Sequence, residues 1–199
     1  GSEGLVFVRG QHIVSLPIRD GVGERNCASA ILRLLIPPQR RVIYWTQGHG
    51  EIAFDSYGAD GMSDIARELA RDGYDNRSID LLSLDQIPSD CALVVVAGAK
   101  SDFSRTELGL LESYLRQGGR LLTLLGSGDS GGIAAFLPAW GMRAERCPLE
   151  NVRTYSGRDV VVSDLTDHDI TLPLKGLQLV LESPLVIGRT SAVGGVDGV

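Results

Sequence analysis

Cysteine is scarce in this 199-residue chain. Cys27, Cys91 and Cys147 are too few and too scattered for a disulfide framework or a zinc site. Their odd number allows at most one internal bridge, so cysteine usage leaves the redox compartment open. Cys91 opens an apolar run and reads as a small core residue. No apolar run approaches the ~20 residues that span a bilayer. Basic runs are equally short, none longer than Gln39-Arg40-Arg41. With 19 Lys and Arg against 25 Asp and Glu, the formal charge is −6. That leaves no concentrated positive footprint and argues against a nucleic-acid partner; acidity itself reports mostly on solubility. Internal repeats and low-complexity tracts are also missing. The opening Gly1-Ser2 reads as a cleavage scar, so native flanking segments, a signal or membrane anchor among them, are expected outside this sequence.

What is present fits a globular α/β chain with many turns: 43% hydrophobic residues and 25 glycines. The length suits one domain, with room for a small appendage. The central stretch is Arg41–Glu51, RVIYWTQGHGE. Its β-prone run Val42–Trp45 stops in the polar, glycine-rich Thr46-Gln47-Gly48-His49-Gly50-Glu51. Two later segments repeat the pattern. Leu93–Ala97 runs into Gly98-Ala99-Lys100-Ser101-Asp102, and Leu121–Leu125 into Gly126-Ser127-Gly128-Asp129. Buried strands ending in such loops deliver side chains to the carboxyl edge of a sheet, where open α/β folds bind ligands.

Residues 5–18 hold two short β-prone runs around Arg9-Gly10-Gln11, with His12 as a partly packed residue rather than a ligand. A helical pattern through Cys27, Ala28, Ile31, Leu32 and Leu35 ends at Pro37-Pro38. Asp60–Asp72 is periodic, with Gly73 suited to a C′ position. Ile79–Leu84 reads as a strand. Leu93–Ala97 is apolar enough for a central strand buried on both faces. Ser104 and Glu107 form a capping box that opens a helix running through Gln117. Leu121–Leu125 is expected to be a further buried strand, and Ile133–Leu137 a short helix broken by Pro138. Val160–Ser163, Leu177–Leu181 and Leu185–Ile187 read as strands. The expected organisation is an N-terminal strand and helix segment, 1–38, packed on an α/β domain, 39–190, with a frayed tail, 191–199. Alternation of this kind implies a mostly parallel sheet flanked by helices, with a β-rich C-terminal extension.

Several constellations invite chemistry. Gly128-Asp129-Ser130-Gly131-Gly132 matches the string around the nucleophile of chymotrypsin-like proteases, but that fold is all-β, so the match is a coincidence. Gly126-Ser127-Gly128 resembles a nucleophile elbow, yet Leu125 and Asp129 stand where the motif requires glycine. Its plain reading is a Gly/Ser turn at a strand end. His49 with Glu51 offers an acid and a base, or two metal ligands, but no third ligand has motif spacing. No metal and no cofactor is expected. Gly48 and Gly50 imply positive φ or a close backbone approach. A binding or structural role for this loop ranks above catalysis, because no proton-transfer partner can be assigned. The candidate ligand edge comprises Gln47, Gly48, His49, Glu51, Gly98, Lys100, Ser127 and Asp129.

The combination of Gly23-Glu24-Arg25, VIYWTQGHGE, and IPSDCALVVVAGAKSDFSRTELGLLESYLRQGGRLLTLL resembles the extracytoplasmic domain of GldG-like proteins. These are auxiliary components of uncharacterised ABC-type transport systems that include the gliding-motility transporter. The likeness covers roughly residues 12–187, with later pieces at Leu137-Pro138-Ala139-Trp140-Gly141 and His168-Asp169-Ile170-Thr171. It implies a flavodoxin-like or class I glutamine-amidotransferase-like domain, related to one at the start of an intraflagellar-transport subunit. It also implies a periplasmic location, an inner-membrane anchor outside this sequence, and ABC-transporter membrane and ATPase subunits as partners. Two departures stand out. No cysteine follows the Leu121–Leu125 strand, as amidotransfer would need, and Gln47 replaces the glycine usual before His49's motif.

The leading expectation is therefore a non-enzymatic binding or interaction domain of a membrane-anchored transporter accessory protein. A sugar, a peptide or a partner protein are the occupants left open for its ligand edge. The competing class is a hydrolase or amidotransferase-like enzyme using Ser127 or His49. A third is a scaffold whose edge strands bind other subunits. Turnover that Ser127→Ala abolishes would mark the enzyme, whereas partner binding without turnover would mark the interaction domain.

Overall fold

A computed structural model describes residues 4–17, 22–36, 41–58, 60–126, 132–146, 159–182 and 184–190. Pro37, Pro38, Ser127, Asp129, Cys147 and the tail 191–199 lie outside them. The chain divides into two compact units, Gly1–Leu124 and Leu125–Val199.

The first unit opens with an antiparallel hairpin, β1 (Gly4–Arg9) and β2 (His12–Pro17), in register from Gly4↔Pro17 to Arg9↔His12. Helix α1 (Glu24–Leu35) packs against it. Next come β3 (Val42–Thr46), α2 (Ser63–Arg71), β4 (Asp75–Ile79), β5 (Cys91–Ala97), α3 (Arg105–Arg116) and β6 (Leu121–Leu124). The four later strands form one parallel sheet in the order β4-β3-β5-β6. The two innermost strands are the apolar ones. Every residue of β3 is buried, and Val94, Val95, Val96 and Ala97 of β5 are at most 1% exposed. A strand covered on both faces has no solvent side, so its sequence loses the alternation of a surface strand.

On one face Ile43, Trp45, Val95 and Ala97 form the core, against which Met62, Leu69 and Tyr74 pack from α2 and its exit. Burying such side chains contributes roughly 1.5–3 kcal/mol each. Asn76 fastens this layer: its Oδ1 accepts from Trp45 Nε1 at 2.9 Å and its Nδ2 donates to the Ala66 carbonyl at 2.9 Å. Gly73 follows α2 at φ 98, a conformation that ends a helix cleanly only without a Cβ.

Three expectations need correction. The strand expected over Ile79–Leu84 lies earlier, at Asp75–Ile79, and Leu81–Ser83 is a 3-10 turn. Asp80 causes the break, since its side chain accepts from Leu82 N at 3.0 Å and stops the ladder. Asp75, Asn76, Arg77 and Ser78 are polar, and β4, at the edge of the sheet, tolerates them. The strand expected to be buried over Leu121–Leu125 is an edge strand, Leu121–Leu124, with Leu122 exposed. The helix expected to break at Pro138 is a 3-10 segment, Gly132–Trp140, that contains it.

In the second unit that 3-10 segment buries Ile133, Phe136 and Leu137. Two antiparallel pairs follow: β7 (Met142–Arg146) with β10 (Leu185–Arg189), and β8 (Asp159–Val162) with β9 (Leu179–Glu182).

Tyr44 is buried, and its hydroxyl lies 3.1 Å from Asp90 Oδ1. Burial raises its pKa above the usual 10.0, and hydrogen bonding and charge repulsion from Asp90 add to this; Arg77 opposes it. The folded state therefore holds this proton more tightly than the unfolded chain does. The corresponding stability is present below pH 10 and is lost as pH rises through the higher folded value. Tyr44→Phe is expected to flatten the alkaline fall in stability above about pH 10, read by denaturation at pH 8 and pH 11.

Candidate functional site

The strand order runs second, first, third, fourth among the parallel strands, so the chain changes direction between β3 and β5. The loops at the carboxyl ends of these two strands therefore flank a topological switch point, where open α/β sheets place ligands. Gln47–Glu51 leaves β3, and Gly98–Asp102 leaves β5.

Backbone bonds tie the two loops together. The His49 carbonyl accepts from Lys100 N at 2.7 Å and Ser101 N at 3.1 Å, and Ile52 N donates to Ala97 O at 2.8 Å. Gly48 and Gly50 take φ values of 112 and 77. At Gly50 a Cβ would also stand 3.3 Å from the Lys100 Cβ, so this glycine answers both a left-handed backbone and a close approach.

This path turns the His49 side chain inward. It is 7% exposed and stacks on Phe103, with ring centroids 4.0 Å apart and planes 20° apart. A carboxylate faces each ring nitrogen: Glu51 Oε1 at 3.5 Å from Nδ1, and Glu107 Oε1 at 3.3 Å from Nε2. Both are buried, the Glu51 side chain 2% and the Glu107 side chain 1% exposed. The second oxygen of each carboxylate holds backbone. Glu51 Oε2 accepts from His49 N at 2.6 Å, and Glu107 Oε2 from Ser104 N at 2.7 Å. Glu107 thus serves two structures at once, the capping box of α3 and the flank of the imidazole. Only an imidazole with N–H on both sides can donate to both carboxylates. His49 Nδ1, Glu51 Oε1 and Glu107 Oε1 are buried and make no hydrogen bond, so the two carboxylates flank the ring without being bonded to it.

Of the residues expected at the ligand edge, His49 and Glu51 are drawn into this buried cluster. Gln47, Gly48 and Lys100 are exposed beside it, and Gly98 is half-buried. Ser127 and Asp129 lie outside the described residues. Sequence reasoning found Glu107 as a helix cap but not as a partner of His49, and it missed Phe103. A local signal existed for the cap alone, because the pairing joins segments far apart in sequence. The arrangement can hold loops rigidly and can display backbone and polar groups from Gln47, Gly48 and Lys100. Among the described residues, no group of three or more His, Cys, Asp or Glu is placed to hold a metal ion. No described helix is long and apolar enough to cross a membrane.

Removing one member of a buried polar cluster leaves its partners without a polar neighbour. His49→Ala is expected to lower stability by about 3–5 kcal/mol in urea denaturation, because it removes the ring stacked on Phe103 and leaves two buried carboxyl groups without the polar group between them. Glu107→Gln in the His49→Ala background should cost less than in the wild type, giving a coupling of about 1–3 kcal/mol in a double-mutant cycle. Additive effects would refute the direct pairing.

Comparison with known proteins agrees with this architecture. The family model described as an ABC-type uncharacterized transport system matches residues 40–143, just over half of the chain. That span holds β3 to β6 and both loops of the switch point. Among solved structures, one titled mmIFT52 N-terminal domain is similar at a TM-score of 0.57 and 18% sequence identity. The match covers 75% of this chain and 68% of that one. At such identity the likeness speaks for the fold alone. No curated protein matches the chain significantly.

Proposed function

Because the chain belongs to the family of ABC-type uncharacterized transport system auxiliary proteins, we propose that it is a non-enzymatic binding domain serving such a transporter. In this reading it lies outside the cytoplasm, tethered to the inner membrane by segments beyond this sequence, as in GldG-like proteins. Its partners are the membrane and ATPase subunits of the transporter, and a sugar or peptide is the small ligand that suits the site. The strand order, second-first-third-fourth, supports a flavodoxin-like or amidotransferase-like sheet.

One observation carries the binding reading over the catalytic one. His49 and Glu51 of the switch-point loop face each other and Glu107 in a buried cluster, while Gln47, Gly48 and Lys100 stay exposed. A general base must reach a proton on a substrate. Here a carboxylate faces each ring nitrogen, and an aromatic ring covers one side of the imidazole. The polar groups left at the surface suit recognition. The competing reading, a hydrolase or amidotransferase-like enzyme using Ser127 or His49, has no such support from the described residues.

The test is co-purification of the tagged full-length protein with its transporter subunits from membranes. Retention of the subunits is expected, with loss on combined Gln47→Ala and Lys100→Glu substitution and little change in thermal stability. Esterase or amidase turnover that disappears in Ser127→Ala, without retention of any transporter subunit, would overturn the proposal.

A further inference from the structure

A second cleft lies well apart in sequence from the switch-point loops, between strand β2 and helices α1 and α2, with a volume of about 640 Å³. Three consecutive residues of β2, namely Val14, Ser15 and Leu16, line it. Val14 and Leu16 pair with Phe7 and Leu5 on one face of the hairpin, and Ser15 pairs with Val6 on the other. Successive side chains of a strand point to opposite faces. No residue of β1 lines the cleft, so it lies on the side of β2 away from β1. The opposite edge of β2 is bonded to β1, and no other described strand pairs with β2. The edge turned to the cleft thus carries N–H and C=O groups with no strand beside them.

The helices add charge. Arg33 and Arg71 line the cleft from α1 and α2. Arg71 is bound by Glu68, which also takes Arg25, and Asp72 accepts from the Ser29 hydroxyl. The Arg33 guanidinium has no ion-pair or hydrogen-bond partner among the described residues. Its stem is seated across Gly73, where a Cβ would come within 2.6 Å of Arg33 Cγ. The nearby acids are engaged, and the positioned cation is left over, in a chain whose net charge is −6.

We propose that this cleft receives an extended acidic peptide segment of a partner protein, which adds as a third strand along β2 and sets a side-chain carboxylate on Arg33. A lone anion would satisfy Arg33 but not the row of strand-edge donors and acceptors. An extended chain satisfies both: on the face it turns to the cleft, apolar side chains meet Val14, Leu16 and Ala30 and a carboxylate of the same face reaches Arg33. This inference is independent of the reading of the carboxyl-edge loops and stands or falls separately from it.

The experiment is fluorescence anisotropy of the full chain with a fluorescein-labelled, C-terminally amidated Val-Thr-Val-Thr-Glu-Thr-Val peptide, whose valines and glutamate share one face of an extended chain. Saturable binding is expected, weakened about tenfold or more in Arg33→Gln and partly restored in Arg33→Lys. The same peptide N-methylated at alternate amides should bind poorly, and hydrogen exchange of Val14–Leu16 should slow only with the unmethylated form. Arg33 is exposed, so these variants leave the fold intact, and circular dichroism checks it. The proposal is overturned by absent saturation up to millimolar peptide, by equal binding to Arg33→Gln, by equal binding of the N-methylated form, or by full competition from free glutamate.

Discussion

The buried contact between His49 and two carboxylates is the constraint on which the rest of the first unit depends. A buried cluster of polar side chains is costly to assemble, and hydrogen bonds to the backbone offset part of that cost. Here the spare oxygens of Glu51 and Glu107 hold the His49 and Ser104 amides. The loop after β3 and the start of α3 are consequently one object. A helix that begins elsewhere would leave the imidazole facing a single acid, and a loop without its glycines could not turn the ring inward. The stacking of His49 on Phe103, one residue before the cap, closes the same object from the side.

Around that object the sheet does a simpler task. β3 and β5 are buried on both faces and lie side by side, so their carboxyl ends are fixed to each other by the core rather than by the loops. The loops inherit that precision. In a fold of this kind the crevice outside the switch point is ordinarily open to a ligand. Here backbone bonds from Lys100 and Ser101 to the His49 carbonyl bridge it, leaving polar groups at its surface.

The hairpin stands outside the span shared with the transport family and differs in its chemistry. Among the described residues its strands pair only with each other, and Val6, Val8 and Ile13 on the face turned from α1 are more than 60% exposed. Two-stranded sheets are marginal by themselves and gain from a third strand or a packed helix. α1 supplies the helix, and the outer edge of β2 has no described strand beside it.

The sequence by itself determined the elements whose signals are local. The apolar runs at Val42–Trp45 and Leu93–Ala97, the Ser104–Glu107 cap and the glycine after α2 all act within a few residues. Strand, helix start and helix stop were legible from them, as was the parallel arrangement that their alternation requires. The positive φ at Gly48 and Gly50 was legible too, because only glycine takes such angles without strain. Tertiary structure alone decided the order β4-β3-β5-β6, and with it which strands became edges. That is why the polar Asp75–Ile79 could be a strand while Asp80 stopped it. It alone also brought Glu107 and Phe103 to His49, since a carboxylate that caps its own helix carries no mark of what lies on its other side. Pairing across such separations is set by packing, in which every residue's place depends on all the others, and no short stretch of sequence contains that information.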